Sequence, residues 1–421
     1  MRNIILLAMS ENPLISLDEA CAAIQAAVTP LTRTEVLDLP AADGRVVARD
    51  LMSSLQVPPY DCAAMDGYAL RADDVPAGGG VLPVAQRVAA GQSAIPLAPG
   101  SAARIFTGAP LPAGADAVVM QEDTRSLHDG ARVHIMVQPQ AGQHVRLAGE
   151  DVARGAVIVQ RGERLTPASL GLAASIGIAR AGVAARPRVA LLCTGDELVM
   201  PGSVAPQDLP PGHIYDSNRF FLRPLLTRLG CQVHDLGTIA DRLDDTVAAL
   251  DQAAQTHDLI LTSGGVSIGE EDHVKPAVRQ LGRLDLWQIA IKPGKPFAFG
   301  EIFRPYGGRC YFAGLPGNPV SGFITFLLLV RPLLLQLQGA TQLDMPALSL
   351  RADFDWPKPA KRREFLRVRR NAEGGLDLHP NQGSAALTAL HWADGLADLP
   401  AGQPVARGDM VRYLPLAEWL S

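Results

Sequence analysis

The sequence predicts a multidomain α/β protein: a doubly wound α/β domain, a β-rich insert domain, a discontinuous helical/β domain around the insert, and a small C-terminal β domain. Three observations lead there. The chain has 421 residues, and at about 100–200 residues per domain it should divide into two to four cores. From Arg188 to about Gly339, strand-length apolar runs alternate with helical stretches, as in βαβ units. Before and after that region the texture changes to short β-type runs punctuated by Pro and Gly.

Taken in order, "SLDEACAAIQAAV" (Ser16 to Val28) reads as a helix, with Ser16 as N-cap and acids in the first turn. From about Ala48 to Gln160, runs such as "ADAVVMQ" and "RVHIMVQP" indicate short strands and tight turns. "TPASLGLAASIGI" is helical again, capped by Thr166 with Pro167 at the first position. The expected units are 14–54 with 153–187, the insert 55–152, the α/β domain 188–339 and the C-terminal domain 340–421. Within the third unit come strand "RVALLCT", a helix capped by Asp216 or Ser217, strand "CQVHDLGTI", helix "DDTVAALDQAAQ", strand "DLILTS", helix "DHVKPAVRQLG", strands "DLWQIAI" and "CYFAGL", and a long helix after "PGNPVSG". That order implies a largely parallel sheet, with ligands at the carboxyl ends of its strands.

Composition excludes some classes. A net charge of −5 and a pI near 6.0 leave no basic field for nucleic acid. The most apolar stretch, "FITFLLLVRPLLLQL", is interrupted by Arg331 and Pro332 and reads as a core helix rather than a membrane span. The opening "MRNIILLAMSENP" has too short an apolar run for a secretory signal, so it is taken as a loose extension of a cytoplasmic protein. Five dispersed cysteines, with no CxxC pair, read as reduced thiols.

The strand-end loops carry the candidate chemistry. They are "TGDEL" with Glu197, "IADRLDD" with Asp241, "SGGVSIGEED" with Gly264, Gly265 and Asp272, "KPGKP" with Lys292 and Lys295, and "GLPGNPVS" with Pro316, Gly317, Asn318 and Pro319. Each also has a plain structural reading: a glycine pair turns a chain, and acids favour a helix start. Glu270 and Glu271 stay open between metal shell and helix-start charge. The chain has five lysines, and two of them flank the Pro-Gly turn of "KPGKP", where a compact charge suits an oxyanion. The backbone N–H groups of Gly317, Asn318 and Val320 sit at a helix start that favours anions, and Glu197, Asp241 and the acids of the glycine loop suit a hard cation such as Mg²⁺. Cation and anion sites together point to a metal-bridged, phosphate-like substrate. Upstream, "VPPYDCAAMDGYAL" supplies Asp61 and Asp66, "RIFTGAPLP" supplies Thr107, and "QHVRLAGEDV" supplies Arg146 and Asp151; turn chemistry and solvated charge are the alternatives there.

In this order "AAMDGYA", "TGAPLPAGADAVVMQE", "RLAGEDV", "TGDEL", "IYDSNR", "SGGVSIGEEDH", "IKPGKPFAFG" and "GLPGNPVS" resemble the molybdopterin molybdenumtransferase family, the MoeA proteins of bacteria and the E domain of gephyrin. The resemblance covers nearly the whole chain after Leu14. It implies that the α/β domain is MogA-like and binds molybdopterin, and that the protein inserts molybdate into adenylylated molybdopterin with Mg²⁺-dependent release of AMP. It also implies a homodimer whose cleft is shared between subunits, with a molybdopterin adenylyltransferase and molybdoenzyme-maturation proteins as expected partners. Carried over by position, Asp61, Glu197, Asp241, Asp272 and Lys292 would be catalytic, with Glu197, Asp241 and Asp272 on the metal. Thr107, Arg146, Asp151, Asp216, Gly264, Gly265, Lys295, Pro316, Gly317, Asn318, Pro319, Arg367 and Ser384 would bind substrate. Cys62-Ala63 and Gln288 depart from the family pattern, which often has a polar pair and a cation there. Two competing readings are a molybdopterin adenylyltransferase, which lacks the extra β domains, and a non-catalytic gephyrin-like scaffold, for which no long linker is visible.

Overall fold

A computed structural model describes residues 14–239, 242–266, 273–344 and 346–419. The α/β domain is built on a seven-stranded sheet in the order Leu14–Ile15, Gly282–Ile289, Pro296–Phe303, Arg309–Leu315, Leu259–Ser263, Arg188–Thr194, Gln232–Ile239. The last four in that order run parallel to one another. Pro296–Phe303 is antiparallel to both strands beside it, so the sheet is mixed. "PFAFGEIF" carries no alternation that would mark it as a strand, because six of its eight residues are buried in succession.

The central strands feed two cores at once. Val189, Leu191, Leu259 and Leu261 join one apolar cluster, while Ala190, Leu192 and Ile260 join the other. This two-sided burial explains their continuous apolar sequence. Helices Leu243–Thr256 and Val274–Leu281 cover the second face, and Asn218–Arg228 and the long apolar helix cover the first.

The expected first segment, 14–54, divides between two units. Leu14–Ile15 pairs in parallel with Gln288–Ile289 of the seven-stranded sheet. The helix Leu17–Ala27 sends Leu17, Ala20 and Ile24 into the α/β core. Its Ser16 cap is as expected: the hydroxyl accepts the Glu19 N–H, and Glu19 reaches back to the Ser16 N–H. The apolar face of this helix needs a large partner, which the small unit that follows does not offer. That unit joins Thr34–Asp38 to Arg180–Ala184 and Leu51–Met52 to Val157–Val159 around Leu39, Val47, Leu165 and Val183. Helix Pro167–Ser175, capped by Thr166, packs on it. The insert is a six-stranded sheet plus the pair Cys62–Ala63 with Val145–Arg146.

The long apolar helix runs Pro319–Leu337, 19 residues that by length and composition match a membrane span, yet 94% of its most apolar window is buried inside the protein. A π-turn at Phe326–Val330 precedes Pro332. Pro332 has no N–H to return to the Leu328 carbonyl, and that carbonyl accepts the Cys21 thiol at 3.6 Å. Burial, helped by the Asp18 carboxylate, pushes the thiol up to about 11, so it remains a protonated donor at neutral pH.

The C-terminal domain closes on itself. Arg363–Arg370 pairs with both Gly375–Leu378 and Gly395–Leu399, and Leu348–Ala352 and Met410–Pro415 complete the ring. A sixth strand comes from the α/β domain: Ile291–Lys292 runs parallel to Arg363–Glu364. The expected strand "DLWQIAI" therefore splits at Ala290, and the lysine turn is handed to the neighbouring domain.

Candidate active site

The carboxyl ends of the parallel strands converge on a cavity of about 730 Å³, the position that the strand order favours for a ligand. Thr194, Gly195 and Glu197 line one side, Ser263 to Val266 another, and Pro316 to Pro319 a third, with Ala385 and Leu387 of the C-terminal domain opposite.

Three loops meet there because backbone approaches closely. Gly264 and Gly265 both have positive φ, +91° and +68°. A Cβ on Gly264 would lie 2.8 Å from the Thr194 carbonyl oxygen, and one on Gly265 would lie 2.5 Å from Val274 Cγ2. The pair is thus required by conformation and by space. Asn218, buried at the start of helix Asn218–Arg228, ties two of the loops together. Its Nδ2 donates to Ser263 Oγ at 2.8 Å and to the Gly317 carbonyl at 2.7 Å. Replacing it would leave both acceptors short of a donor in a buried setting, so Asn218→Ala should cost about 2 kcal/mol. Urea unfolding of the variant checks this, and an unchanged midpoint would refute the amide's role.

Glu197 is the cavity's free carboxylate. It makes no hydrogen bond or ion pair with any described residue, and its Oε2 lies over Gly195, 2.4 Å from where a Cβ would stand. Asp216 also lines the cavity, and its carboxylate turns toward a buried arginine. Oδ1 accepts the Arg219 N–H at 3.2 Å, and Oδ2 lies 3.4 Å from Arg219 Nε. Asp216 thus caps the helix start and pairs with a buried arginine at the cavity's edge.

Three family models match the chain in order: the MoeA N-terminal region (domain I and II) over residues 15–177, a probable molybdopterin binding domain over 190–336, and the MoeA C-terminal region (domain IV) over 349–416. The chain belongs to the MoeA family. A Haemophilus influenzae molybdopterin molybdenumtransferase is 42% identical over 356 residues, 84% of this chain and 85% of that one. A Nostoc molybdopterin molybdenumtransferase is 34% identical over 395 residues, 91% and 89% of the two chains. Among solved structures, a molybdopterin biosynthesis moeA protein from Pyrococcus horikoshii superposes with a TM-score of 0.81 at 27% identity, covering 96% of this chain and all of that one, 100%.

Within this MoeA fold the expected site residues separate into three groups. Glu197, Gly264, Gly265, Pro316, Gly317, Asn318 and Pro319 line the cavity together. Asp241 and Asp272, with Glu270 and Glu271, lie outside the described residues. Of the remainder, Asp216 also lines the cavity and the others lie off its wall. Lys292 and Lys295 are both exposed and off the cavity wall, whereas Pro296 is on it. The Lys292 ammonium is 3.0 Å from Glu364 Oε1. Of the expected anion-binding N–H groups at the helix start, that of Val320 donates to the Ser384 carbonyl at 3.0 Å. Ser384 thus contributes its backbone, and its neighbour Ala385 faces the cavity.

Arg367 is 1% exposed. Its Nη1 and Nη2 donate to the Phe365 and Gly383 carbonyls at 3.0 and 3.2 Å, and its own N–H donates to Gln382 Oε1. Burial pulls its pKa down to about 10. It holds the 382–385 loop against the helix start instead of presenting its charge to the cavity.

Asp61, Thr107, Arg146 and Asp151 are all exposed on the insert domain and none lines the cavity. Asp61 Oδ1 accepts the Ala148 N–H at 2.8 Å, and Arg146 pairs with Cys62 in a two-stranded ladder, so these two loops form one polar patch. The Thr107 N–H and hydroxyl both donate to Asp66 Oδ1, at 2.8 and 2.7 Å, which lowers the Asp66 pKa, the backbone N–H first. Two contributors were not singled out in the sequence. Asn218 stands in "IYDSNR", where the cap was sought at Asp216 or Ser217. Glu364 sits in "KRREFL", where nothing local marks its burial.

Proposed function

We propose that this chain inserts molybdate into adenylylated molybdopterin and releases AMP, leaving molybdenum on the dithiolene sulfurs. The observation that carries the reading is the strand-end cavity, lined by Glu197, which has no partner among the described residues, and by the stiff Pro316–Pro319 approach to a helix start, inside a MoeA-family chain. An exposed oxyanion side and an uncompensated carboxylate suit a phosphate that arrives with a divalent cation. Glu197 is of the donor type Mg²⁺ takes, and Asp241 and Asp272 would complete its carboxylate set. When bound, Mg²⁺ would supply charge stabilisation to the pyrophosphate.

The residues of the chain have distinct tasks in this scheme. Gly264 and Gly265 let the backbone approach the substrate closely, and Asn218 keeps that loop in register with Gly317. Ala385 and Leu387 shield the cavity from the C-terminal side. Lys292 and Lys295 bring positive charge for molybdate or the pterin phosphate. A molybdate oxygen is the nucleophile we favour at the adenylyl phosphorus: its attack would break the pyrophosphate P–O bond, and displacement of that oxygen from molybdenum by the dithiolene sulfurs would release AMP, coupling release to metal insertion. Isotopically labelled molybdate would then leave its label in AMP. Incubation with adenylylated molybdopterin, Mg²⁺ and molybdate should yield AMP and protein-bound molybdenum together; AMP without molybdenum, or neither product, would sink the proposal.

We propose further that the working unit is a homodimer with shared clefts. What supports this is the polar patch of Asp61, Thr107, Arg146 and Asp151, exposed on the insert and outside the cavity of its own chain. Co-expressed Asp61→Ala and Lys292→Ala chains should recover about a quarter of the normal rate, because half the dimers are mixed and each mixed dimer holds one intact cleft. No recovery above the single variants would place both residues in a cleft within one chain.

A further inference from the structure

Lys292 is built into the sheet of the C-terminal domain, directly opposite Glu364 in the parallel pair Ile291–Lys292 with Arg363–Glu364. The two ends of the resulting ion pair differ. The Glu364 side chain is 1% exposed and that of Lys292 is 45% exposed, with Nζ 3.0 Å from Oε1. The second Glu364 oxygen, Oε2, accepts the Trp356 indole N–H at 2.9 Å and the Ala360 N–H at 2.7 Å. Burial by itself pushes the Glu364 pKa up, but the Ala360 N–H, the Trp356 indole and the Lys292 ammonium outweigh it and hold the carboxylate below its ordinary value.

A buried carboxylate gripped from three sides has one orientation, whereas a half-exposed lysine on a four-carbon stem has many. The turn that follows is pinned as well: a Cβ on Gly294 would lie 2.5 Å from Thr325 Oγ1 of the long helix. We infer that Glu364, itself held by Trp356 and Ala360, is a positioning residue that sets the place and direction of the Lys292 ammonium. An ammonium has three N–H donors; drawn to 3.0 Å from Glu364 Oε1 by the ion pair, it is placed with donor capacity to offer an oxyanion. This rests on the proposed function only in giving Lys292 an oxyanion to bind.

The pairing can be read without substrate. Acetylation of the full-length protein by an N-hydroxysuccinimide ester, followed peptide by peptide, should modify Lys292 several-fold faster in Glu364→Gln than in the native chain, with Lys295 unchanged. An unchanged ratio of the two lysines overturns the assignment. In the transfer assay Glu364→Gln should lower kcat about tenfold while KM for adenylylated molybdopterin stays within about twofold, and Lys292→Ala with Glu364→Gln should be no slower than Lys292→Ala alone. A double variant slower than Lys292→Ala shows Glu364 acting by another route and refutes the inference. If Glu364→Gln does not fold, Trp356→Phe removes one of the donors to Oε2 and should shift both readouts in the same direction. If Lys292→Ala transfers molybdenum at the normal rate, the use of Lys292 in the proposed function fails, and the acetylation ratio still decides the pairing.

Discussion

Lys292→Ala should lower kcat for molybdenum transfer by about 10²–10³, the loss typical of one removed donor to developing negative charge. The substitution also strands Glu364, which is 1% exposed. Removing one partner of a fully buried pair costs about 3–5 kcal/mol; with Lys292 nearly half in water, about 1–2 kcal/mol is expected here. Adding Glu364→Gln to Lys292→Ala should restore most of that stability, seen in the urea midpoint, and none of the transfer. The Glu364 pKa is held below its reference of 4.5, so the carboxylate stabilises the fold fully above that value. Its contribution is lost as pH falls through the lower folded-state pKa. The stability gap between native and Glu364→Gln chains should therefore close on the acid side and stay constant from mildly acidic to neutral pH. A gap that widens with acid would contradict the assignment.

Gly264→Ala should damage both fold and activity. The position has φ +91°, and the new Cβ would sit 2.8 Å from the Thr194 carbonyl oxygen and 2.9 Å from Thr194 Oγ1. The first of these is backbone, so the loop itself must move. Left-handed strain and overpacking together predict a loss of about 2–4 kcal/mol. The Gly264 N–H donates to the Leu315 carbonyl at 3.0 Å, so a displaced Gly264 pulls on the Pro316–Pro319 side of the cavity too. A misplacement near 1 Å costs about 10² in rate. Gly212→Ala is the control: φ is +83° there, but nothing lies within 4 Å of its added Cβ, and about 1–2 kcal/mol of strain alone should appear. Equal melting temperatures for the two variants would show that the close approach at Gly264 is not what the loop requires.

Much of the architecture was legible in local pattern. The continuous apolar runs at Arg188–Thr194 and Leu259–Ser263 announced strands buried on two faces, and the Ser16 and Thr166 caps marked where helices begin. The glycine pair 264–265 and the prolines of "GLPGNPVS" were readable as cavity loops, because the sheet rule fixes which strand ends share a side. Pro296–Phe303 was not readable, since Pro296, Gly300 and Glu301 break up the apolar run of a strand in which six of eight residues are buried. The helix Leu17–Ala27 was assigned to the wrong neighbour because its apolar stripe says that it packs, not against what.

Spacing and residue type alone were enough to establish a MoeA-like order of motifs and which strand-end loops line the cavity. The first is a local property of each segment, and the second follows from strand order once periodicity has set the elements. Which charge answers which was decided only by the folded chain. Lys292 meets Glu364 across 72 positions of sequence, Asp216 turns inward to Arg219, and Arg367 is spent on carbonyls at Phe365 and Gly383. A carboxylate or a guanidinium looks the same in sequence whether it faces solvent, a ligand or a buried partner, and only packing distinguishes them.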